Sequence, residues 1–170
     1  MYVKQSISLL IIVMSLLSGC SQLSSKSEAD EAELAAYAQG QAVLDLTVKA
    51  DEAYYRRDWV KAEGLYREAT KLDAGQAYLW FRLGNVLMYQ TRMSEAREAY
   101  TEAINRDQGF AKAWNNLATA HLLEAREALV YLHDRLQPGD PATKQLAVRL
   151  GLLDKVLDQA MADIPALSAQ

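Results

Sequence analysis

Two stretches of equal length decide the fold: DWVKAEGLYREATKLDAGQ at residues 58–76 and RMSEAREAYTEAINRDQGF at residues 92–110. Five residues of the first stretch recur in the second at a spacing of 34 positions. They are Ala62, Tyr66, Ala69, Asp73 and Gly75, which are matched by Ala96, Tyr100, Ala103, Asp107 and Gly109. A fixed period of this length indicates an array of repeats that bury their apolar faces against one another.

The residues around these stretches repeat with the same period. Trp80, Leu83 and Gly84 recur as Trp114, Leu117 and Ala118. In the first unit, Leu46, Ala50 and Ala53 stand 34 residues before Trp80, Gly84 and Leu87. Alanine is abundant and the three prolines all lie after residue 137, so the repeats are predicted to be helical. The order Trp-x2-Leu-Gly followed by small-aromatic-small resembles the tetratricopeptide repeat, a hairpin of two helices that we call A and B.

This resemblance implies an all-α solenoid of helix hairpins. Two repeats are expected in residues 43–110, at 43–76 and 77–110, and a divergent third unit with a capping helix in residues 111–170. The A and B helices of one repeat must approach closely, so Gly84 and Ala118 are predicted to lie where they touch.

Aromatic residues and other glycines of the repeats also have predicted roles. Trp80 and Trp114 are predicted to fill the wedge between successive repeats. Gly75 and Gly109 follow the B helices and are predicted to end them in the left-handed conformation.

The third unit departs from the repeat pattern. Its apolar stripe runs without a loop signal, which predicts one continuous helix over about residues 112–136. The stripe consists of Trp114, Ala118, His121, Ala125, Ala128, Leu132 and Leu136. Asp140 and Pro141 then suit the start of a closing helix, which is expected to form an αα-hairpin cap with the long one. Its apolar positions are Leu146, Leu150, Leu153, Leu157, Ala160 and Ile164, and Pro165 is expected to end it.

The closing helix carries a second apolar stripe at Val148, Leu152 and Val156. A terminal cap is expected to turn a polar face outward. The stripe therefore indicates a contact in a homodimer, occupation of the repeat groove, or additional burial within the cap.

The N-terminus has the pattern of an exported protein. Lys4 precedes an apolar run of about eleven residues, too short to span a membrane, and small residues follow it. The letters Leu17-Ser18-Gly19-Cys20 resemble the lipobox of bacterial lipoprotein precursors. The resemblance implies a signal peptide at 1–19, a lipid on Cys20, a flexible tether at 20–27 and a helical lead-in at 28–42. It also implies the periplasmic face of the bacterial outer membrane as the location.

Charge and motifs argue against several classes of function. The formal net charge is −4 with no basic cluster, which disfavours a nucleic-acid partner. The chain has no catalytic motif, and His121 and His133 lie too far apart on one helix to share a metal. We therefore expect no enzyme activity, no metal and no cofactor other than the lipid on Cys20.

In the tetratricopeptide family the A helices line a groove that binds proteins or peptides. The family positions that line it predict partner-binding residues at Tyr54, Tyr55, Tyr78, Phe81, Asn85, Met88, Tyr89, Asn115 and Thr119, with Leu44 and Lys112 at neighbouring groove positions. Alternatively, the lead-in helix or the cap covers several of them. One family subtype clamps a C-terminal carboxylate, but Asp51 stands where that clamp needs an amide, so this mode is rejected.

The expected function is an adaptor that holds envelope proteins or peptides at the outer membrane. Resemblance places such lipoproteins in pilus, secretion or cell-wall assembly. The alternative is a structural homo-oligomer of the envelope without a peptide-binding groove.

Overall fold

The computed structural model describes the backbone of residues 2–137 and 139–162, and the side chains of residues 28–137 and 139–161. The described residues form helices and no strands. The helices are α1 (Tyr2–Tyr55), α2 (Trp59–Leu72), α3 (Ala77–Tyr89), α4 (Met93–Arg106), α5 (Ala111–His133) and α6 (Pro141–Ala162). The chain divides into two compact units, residues 1–42 and residues 43–170.

The first unit differs from the predicted boundaries. Residues 20–27, the predicted tether, lie within α1, and no helix begins at the predicted start near Ser27. A physical reason is that no glycine or proline occurs between Cys20 and Gly40 to interrupt the helix. The side chain of Cys20 lies outside the described side chains. Farther along, Leu34 and Tyr37 are exposed.

The second unit contains the predicted hairpins. The A helices are the part of α1 from Val43 onward, then α3 and α5, and the B helices are α2 and α4. Asp58 caps α2 by accepting a hydrogen bond from the backbone N–H of Lys61 at 3.2 Å.

The turn from each A helix to its B helix is the same in both repeats. Arg57 and Thr91, which lie 34 residues apart, adopt the left-handed conformation with φ of 60° and 57°. The amides that follow them, of Asp58 and Arg92, donate to the carbonyls of Ala53 and Leu87 across the helix end. This pattern closes an A helix in the manner of a Schellman motif, although neither left-handed residue is glycine.

Gly75 and Gly109 do not adopt the left-handed conformation that was predicted for them, so that prediction was wrong. Neither glycine has a positive φ. Each donates its N–H to the carboxylate two residues earlier, Asp73 or Asp107, at 2.9 Å. This local Asx hydrogen bond makes the turn, and a Cβ on Gly75 would lie 3.2 Å from Asp73 Oδ1.

The core of the second unit lies between the A and B helices. Ala62, Ala69, Ala96 and Ala103 are fully buried, which lets the helix backbones approach closely. An added Cβ on Gly84 would lie 2.5 Å from the ring of Tyr100, so the predicted close contact at Gly84 is present.

The C-terminal hairpin has the predicted helices. α5 runs through the position where the earlier repeats have their turn, because Ala125 is the 34-residue equivalent of Thr91. Asp140 accepts from the backbone N–H of Ala142 at 2.8 Å and so caps α6. On α6, Leu146 and Leu157 are buried, whereas Ile164 and Pro165 lie outside the described residues.

The predicted buried stripe of α5 is wrong. Trp114 is 52% exposed and Ala118 is also exposed, so neither occupies the predicted packing position. The half-buried side chains of α5 lie on a different face, at Leu122, Leu123, Leu129 and Val130. The cause is that no B helix follows α5 within the described residues, so its B-facing side has no cover of the kind that α4 gives to α3.

The second stripe of α6 points to solvent. Val148, Leu152 and Val156 are 63%, 59% and 51% exposed. Additional burial within the cap, one of the three interpretations of this stripe, therefore does not apply within the described residues.

Candidate functional site

The exposed side of the A helices is the candidate binding surface. Tyr55 is 78% exposed, Leu44 57% and Tyr78 42%. Lys112 and Asn115 extend this surface onto α5 and are also exposed. We refer to Leu44, Tyr55, Tyr78, Lys112 and Asn115 as the A-helix face. Of the predicted partner-binding residues, the structure thus exposes Tyr55, Tyr78 and Asn115.

Four predicted partner-binding residues lie beneath that surface instead. Tyr54, Asn85, Met88 and Thr119 are buried, so their side chains are not available for direct contact. The polar ones among them are satisfied internally, because the hydroxyl of Thr119 donates to the carbonyl of Asn115 at 3.0 Å. Their role at these positions is to support the A-helix face.

Two further predicted residues, Phe81 and Tyr89, are half-buried. The ring of Phe81 packs against Phe110, with centroids 4.9 Å apart. The ring of Tyr89 stacks on Trp59 at 4.2 Å and 6°. Both rings therefore stabilise the repeat packing, and their removal would disturb the fold as well as any binding.

A charged cluster underlies the first part of the A-helix face. Arg82 is 8% exposed, and it donates through Nε and Nη2 to Asp51 Oδ1 at 2.9 and 2.6 Å. The hydroxyl of Tyr66 donates to the same oxygen at 2.5 Å, and that of Tyr78 to Oδ2 at 3.1 Å. The guanidinium also lies 3.8 Å from the ring centroid of Tyr54, a close cation–π contact. We call Asp51, Tyr66 and Arg82 the charged layer.

An uncharged cluster occupies the same place one repeat later. Tyr100 donates to Asn85 Oδ1 at 2.9 Å, and Asn116 Nδ2 donates to the same oxygen at 2.8 Å. These three residues lie 34 positions after Tyr66, Asp51 and Arg82 respectively. We call Asn85, Tyr100 and Asn116 the amide layer. Each layer joins an A helix, its own B helix and the next A helix through one acceptor.

Burial and the Asp51 carboxylate raise the pKa values of the two phenols that donate to Asp51. Burial raises the pKa of Tyr78 to about 12, and the Asp51 carboxylate acts in the same direction against the opposing Arg82. Burial and the hydrogen bond to Asp51 also raise the pKa of Tyr66 well above its ordinary value. Burial disfavours the charged form of Arg82, but its contacts with Tyr66, Tyr78 and Asp51 prevail and raise its pKa.

Sequence inspection missed Arg82 and both layers. The signal was present, because Asp51 and Asn85, and likewise Arg82 and Asn116, are polar pairs at the repeat period. Residue identity at the period does not reveal these pairs, because Asp51 is replaced by Asn85 and Arg82 by Asn116. The same layers also explain why Asn85 does not face a partner.

The described residues contain neither a membrane-spanning helix nor a cluster of metal-binding side chains. None of their helices is both long and apolar enough to cross a membrane. Within the same part of the chain, no group of three or more His, Cys, Asp or Glu side chains is placed to hold a metal ion.

Comparison with known families agrees with the geometry. Residues 77–110, which form the second hairpin, match the family model described as tetratricopeptide repeat. Residues 77–110 form a tetratricopeptide repeat.

Known proteins resemble the chain to different extents. It is 35% identical over 88 residues to the human Protein O-mannosyl-transferase TMTC3, a match of 49% of this chain and 9% of that protein. The chain thus spans less than a tenth of this relative. The Arabidopsis OM64 TPR domain has a TM-score of 0.49 and 24% identity, covering 66% of this chain and 96% of that domain. The TPR2AB domain in the pHSP90 complex of yeast Sti1 has a TM-score of 0.50 and 21% identity, and the match covers 79% of this chain and 52% of that one.

Proposed function

We propose that the protein is a lipid-anchored adaptor of the bacterial envelope that holds a partner protein on its A-helix face. The observation that carries the proposal is the exposure of Tyr55 and Tyr78 beside the charged layer. Tyr78 is held by its hydrogen bond to Asp51, so it costs little conformational entropy to order on binding. Large side chains that are already ordered are the usual anchors of protein interfaces.

The chemistry of the face favours an apolar or aromatic segment of the partner over a free C-terminal carboxylate. Asn85 and Asn116 are bonded to each other, so they are not free to bind a carboxylate. The acidic Asp51 lies between Tyr55 and Tyr78 and would repel one. The rejection of the carboxylate clamp therefore gains support from the hydrogen bonds of both layers.

The binding test uses Tyr55→Ala with Tyr78→Ala. We expect the double variant to lose co-purification of the native partner from detergent-solubilised membranes, because removing interface anchors typically costs about 2 kcal/mol or more each. For Tyr55→Ala alone, circular dichroism and melting temperature should stay near wild type, because the side chain of Tyr55 is 78% exposed. Tyr131→Ala is the matched control, because Tyr131 is 59% exposed but lies outside the A-helix face.

The alternative site is the α6 stripe, whose exposure favours the homo-oligomer as a second candidate function. Retention of the partner by the Tyr55/Tyr78 variant, with loss on Val148→Glu and Leu152→Glu, would move binding to α6. That outcome would contradict a role for the A-helix face.

The anchor part of the proposal rests on the sequence Leu17-Ser18-Gly19-Cys20. A diacylglyceryl group on the Cys20 sulfur with a further N-acyl chain gives more than one lipid chain, which is sufficient for stable membrane attachment. In bacterial lipoproteins an aspartate directly after the lipidated cysteine favours retention at the inner membrane. This chain has Ser21 at that position, which supports the outer membrane as the destination. Pilus, secretin or cell-wall assembly is the proposed setting of the partner.

Removal of the thiol tests the anchor. We expect Cys20→Ala to abolish incorporation of radiolabelled palmitate and to leave the protein either soluble or as an uncleaved precursor. Ser21→Ala is the control and should be acylated normally. Wild-type protein that carries no lipid after expression in a diderm bacterium would contradict the anchor.

A further inference from the structure

The B-facing side of α5 is uncovered, in contrast to the same side of the earlier A helices. In the first two repeats the closest-packing residues, Ala50 and Gly84, are buried by α2 and α4. Their equivalent on α5, Ala118, is exposed, and so is the large ring of Trp114. The third A helix therefore presents the surface on which a B helix packs, within the described residues, without that helix.

The uncovered side forms a slot with the free edge of α4. A cleft of about 400 Å³ is lined by Arg97, Glu98, Thr101, Glu102, Leu117 and His121. Leu117 and His121 are the 34-residue equivalents of Leu83 and Leu87, on which α4 packs in the second repeat. The α4–α5 slot, which we define as this cleft with Trp114 and Ala118, thus continues the row of B helices formed by α2 and α4.

The first unit of the chain contains a helical segment with the residues that such a slot accepts. The buried face of α4 includes Ala96, Ala99, Tyr100 and Ala103. In α1 the sequence Ala36-Tyr37-x2-Gly40 matches the last three of these at the same spacing, and Glu33 stands at the position of Ala96. Tyr37 is 65% exposed, and space around Gly40 is open. The segment 28–42 therefore has an exposed B-type face.

Charge fits in the same register. Tyr100 packs on Gly84, so in an antiparallel pair the residue four before it, Ala96, lies near Leu87. If Tyr37 packs on Ala118 in that way, Glu33 lies beside His121. The apolar pair of Ala96 and Leu87 is then replaced by the acidic Glu33 and the basic His121. The side chain of His121 is exposed, and its present contact with Glu124 is long, at 3.8 Å.

We propose that the segment 28–42 of one chain docks into the α4–α5 slot of a second copy and serves there as the missing B helix. Donor and slot are different surfaces, so the contact is heterologous and closes as a dimer only if both copies exchange segments. This self-association does not use the A-helix face, so it can fail or succeed independently of the proposed adaptor function.

A peptide of residues 28–42, labelled with fluorescein, tests the docking on the full chain in detergent. We expect saturable binding that Ala118→Glu weakens by about tenfold or more, because it places a charge in the packed contact. Binding should also weaken in the His121→Glu variant and recover when the peptide carries Glu33→Lys. A peptide with Tyr37→Ala is the matched negative control.

Sedimentation velocity tests the same contact in the whole protein. We expect concentration-dependent association that Tyr37→Glu and Ala118→Glu abolish and Val148→Glu leaves unchanged. A chain that stays monomeric at all concentrations, or a peptide that binds wild type and Ala118→Glu equally, overturns the proposal. Loss of association on Val148→Glu alone also overturns it and assigns self-association to α6.

Discussion

Replacing Gly84 with leucine is expected to destabilise the protein by about 3 kcal/mol, whereas Ala118→Leu should change the free energy of unfolding by less than about 0.5 kcal/mol. The two positions are equivalent in the repeat, but their surroundings differ. A first carbon on Gly84 would already lie 2.5 Å from the ring of Tyr100, which is fully buried and hydrogen-bonded to Asn85. The side chain at Ala118 extends into the open α4–α5 slot.

Urea unfolding followed by circular dichroism measures both changes at low protein concentration, where self-association is absent. Gly84→Ala gives an intermediate case, since it adds only the carbon that contacts Tyr100. Equal losses at Gly84 and Ala118 would show that α5 is covered on its B-facing side and would contradict the structure there.

The second large effect is expected from Asp51→Asn, which leaves the buried Arg82 without its counter-charge. Breaking a buried ion pair costs about 3–5 kcal/mol, and we expect the lower end because the Asp51 side chain is 27% exposed. The variant also weakens the acceptor that Tyr66 and Tyr78 share. Arg82→Asn alone should lower the free energy of unfolding by less. In that variant Asp51 still accepts hydrogen bonds from Tyr66 and Tyr78 and still contacts solvent.

The amide layer supplies the rescue. Combining Asp51→Asn with Arg82→Asn turns the charged layer into a copy of Asn85, Tyr100 and Asn116, in which Tyr100 and Asn116 both donate to Asn85 Oδ1. We expect the double variant to be at least about 1 kcal/mol more stable than the sum of the single losses. Recovery will be partial, since the shorter asparagine loses the contact of Arg82 with the Tyr54 ring. Strict additivity would contradict coupling within the layer.

Much of the fold was predictable because the repeat fixes small residues at every close helix contact. Gly84 has no room for a side chain against Tyr100, and Ala62 and Ala96 are fully buried. The recurrence of small residues at these positions was visible in the sequence alone. The capped start of α6 at Asp140 was predictable for a similar reason, since an N-cap depends on adjacent residues.

The candidate site was less predictable, because burial depends on neighbours that a single helix does not reveal. Tyr54 and Tyr55 are adjacent in sequence, yet one lies under Arg82 and the other is exposed. On α5, Trp114 repeats Trp80 and was expected in the core, but no B helix follows α5 within the described residues to bury it. The indole of each still donates to the preceding turn, at Ala74 or Gln108, so the local geometry repeats without the burial.

The order of helix contacts in the second unit has a consequence for local opening. Each helix from α2 to α6 packs mainly on its neighbours in the chain: α2 on α3, α4 on α3 and α5, and α6 on α5. In such a linear stack, opening free energies grade along the row, so the last hairpin can unfold while α3 and α4 remain native. A destabilising substitution in α6 should therefore unfold only the last hairpin. The surface between Tyr55 and Tyr78 should keep its native structure when that hairpin opens.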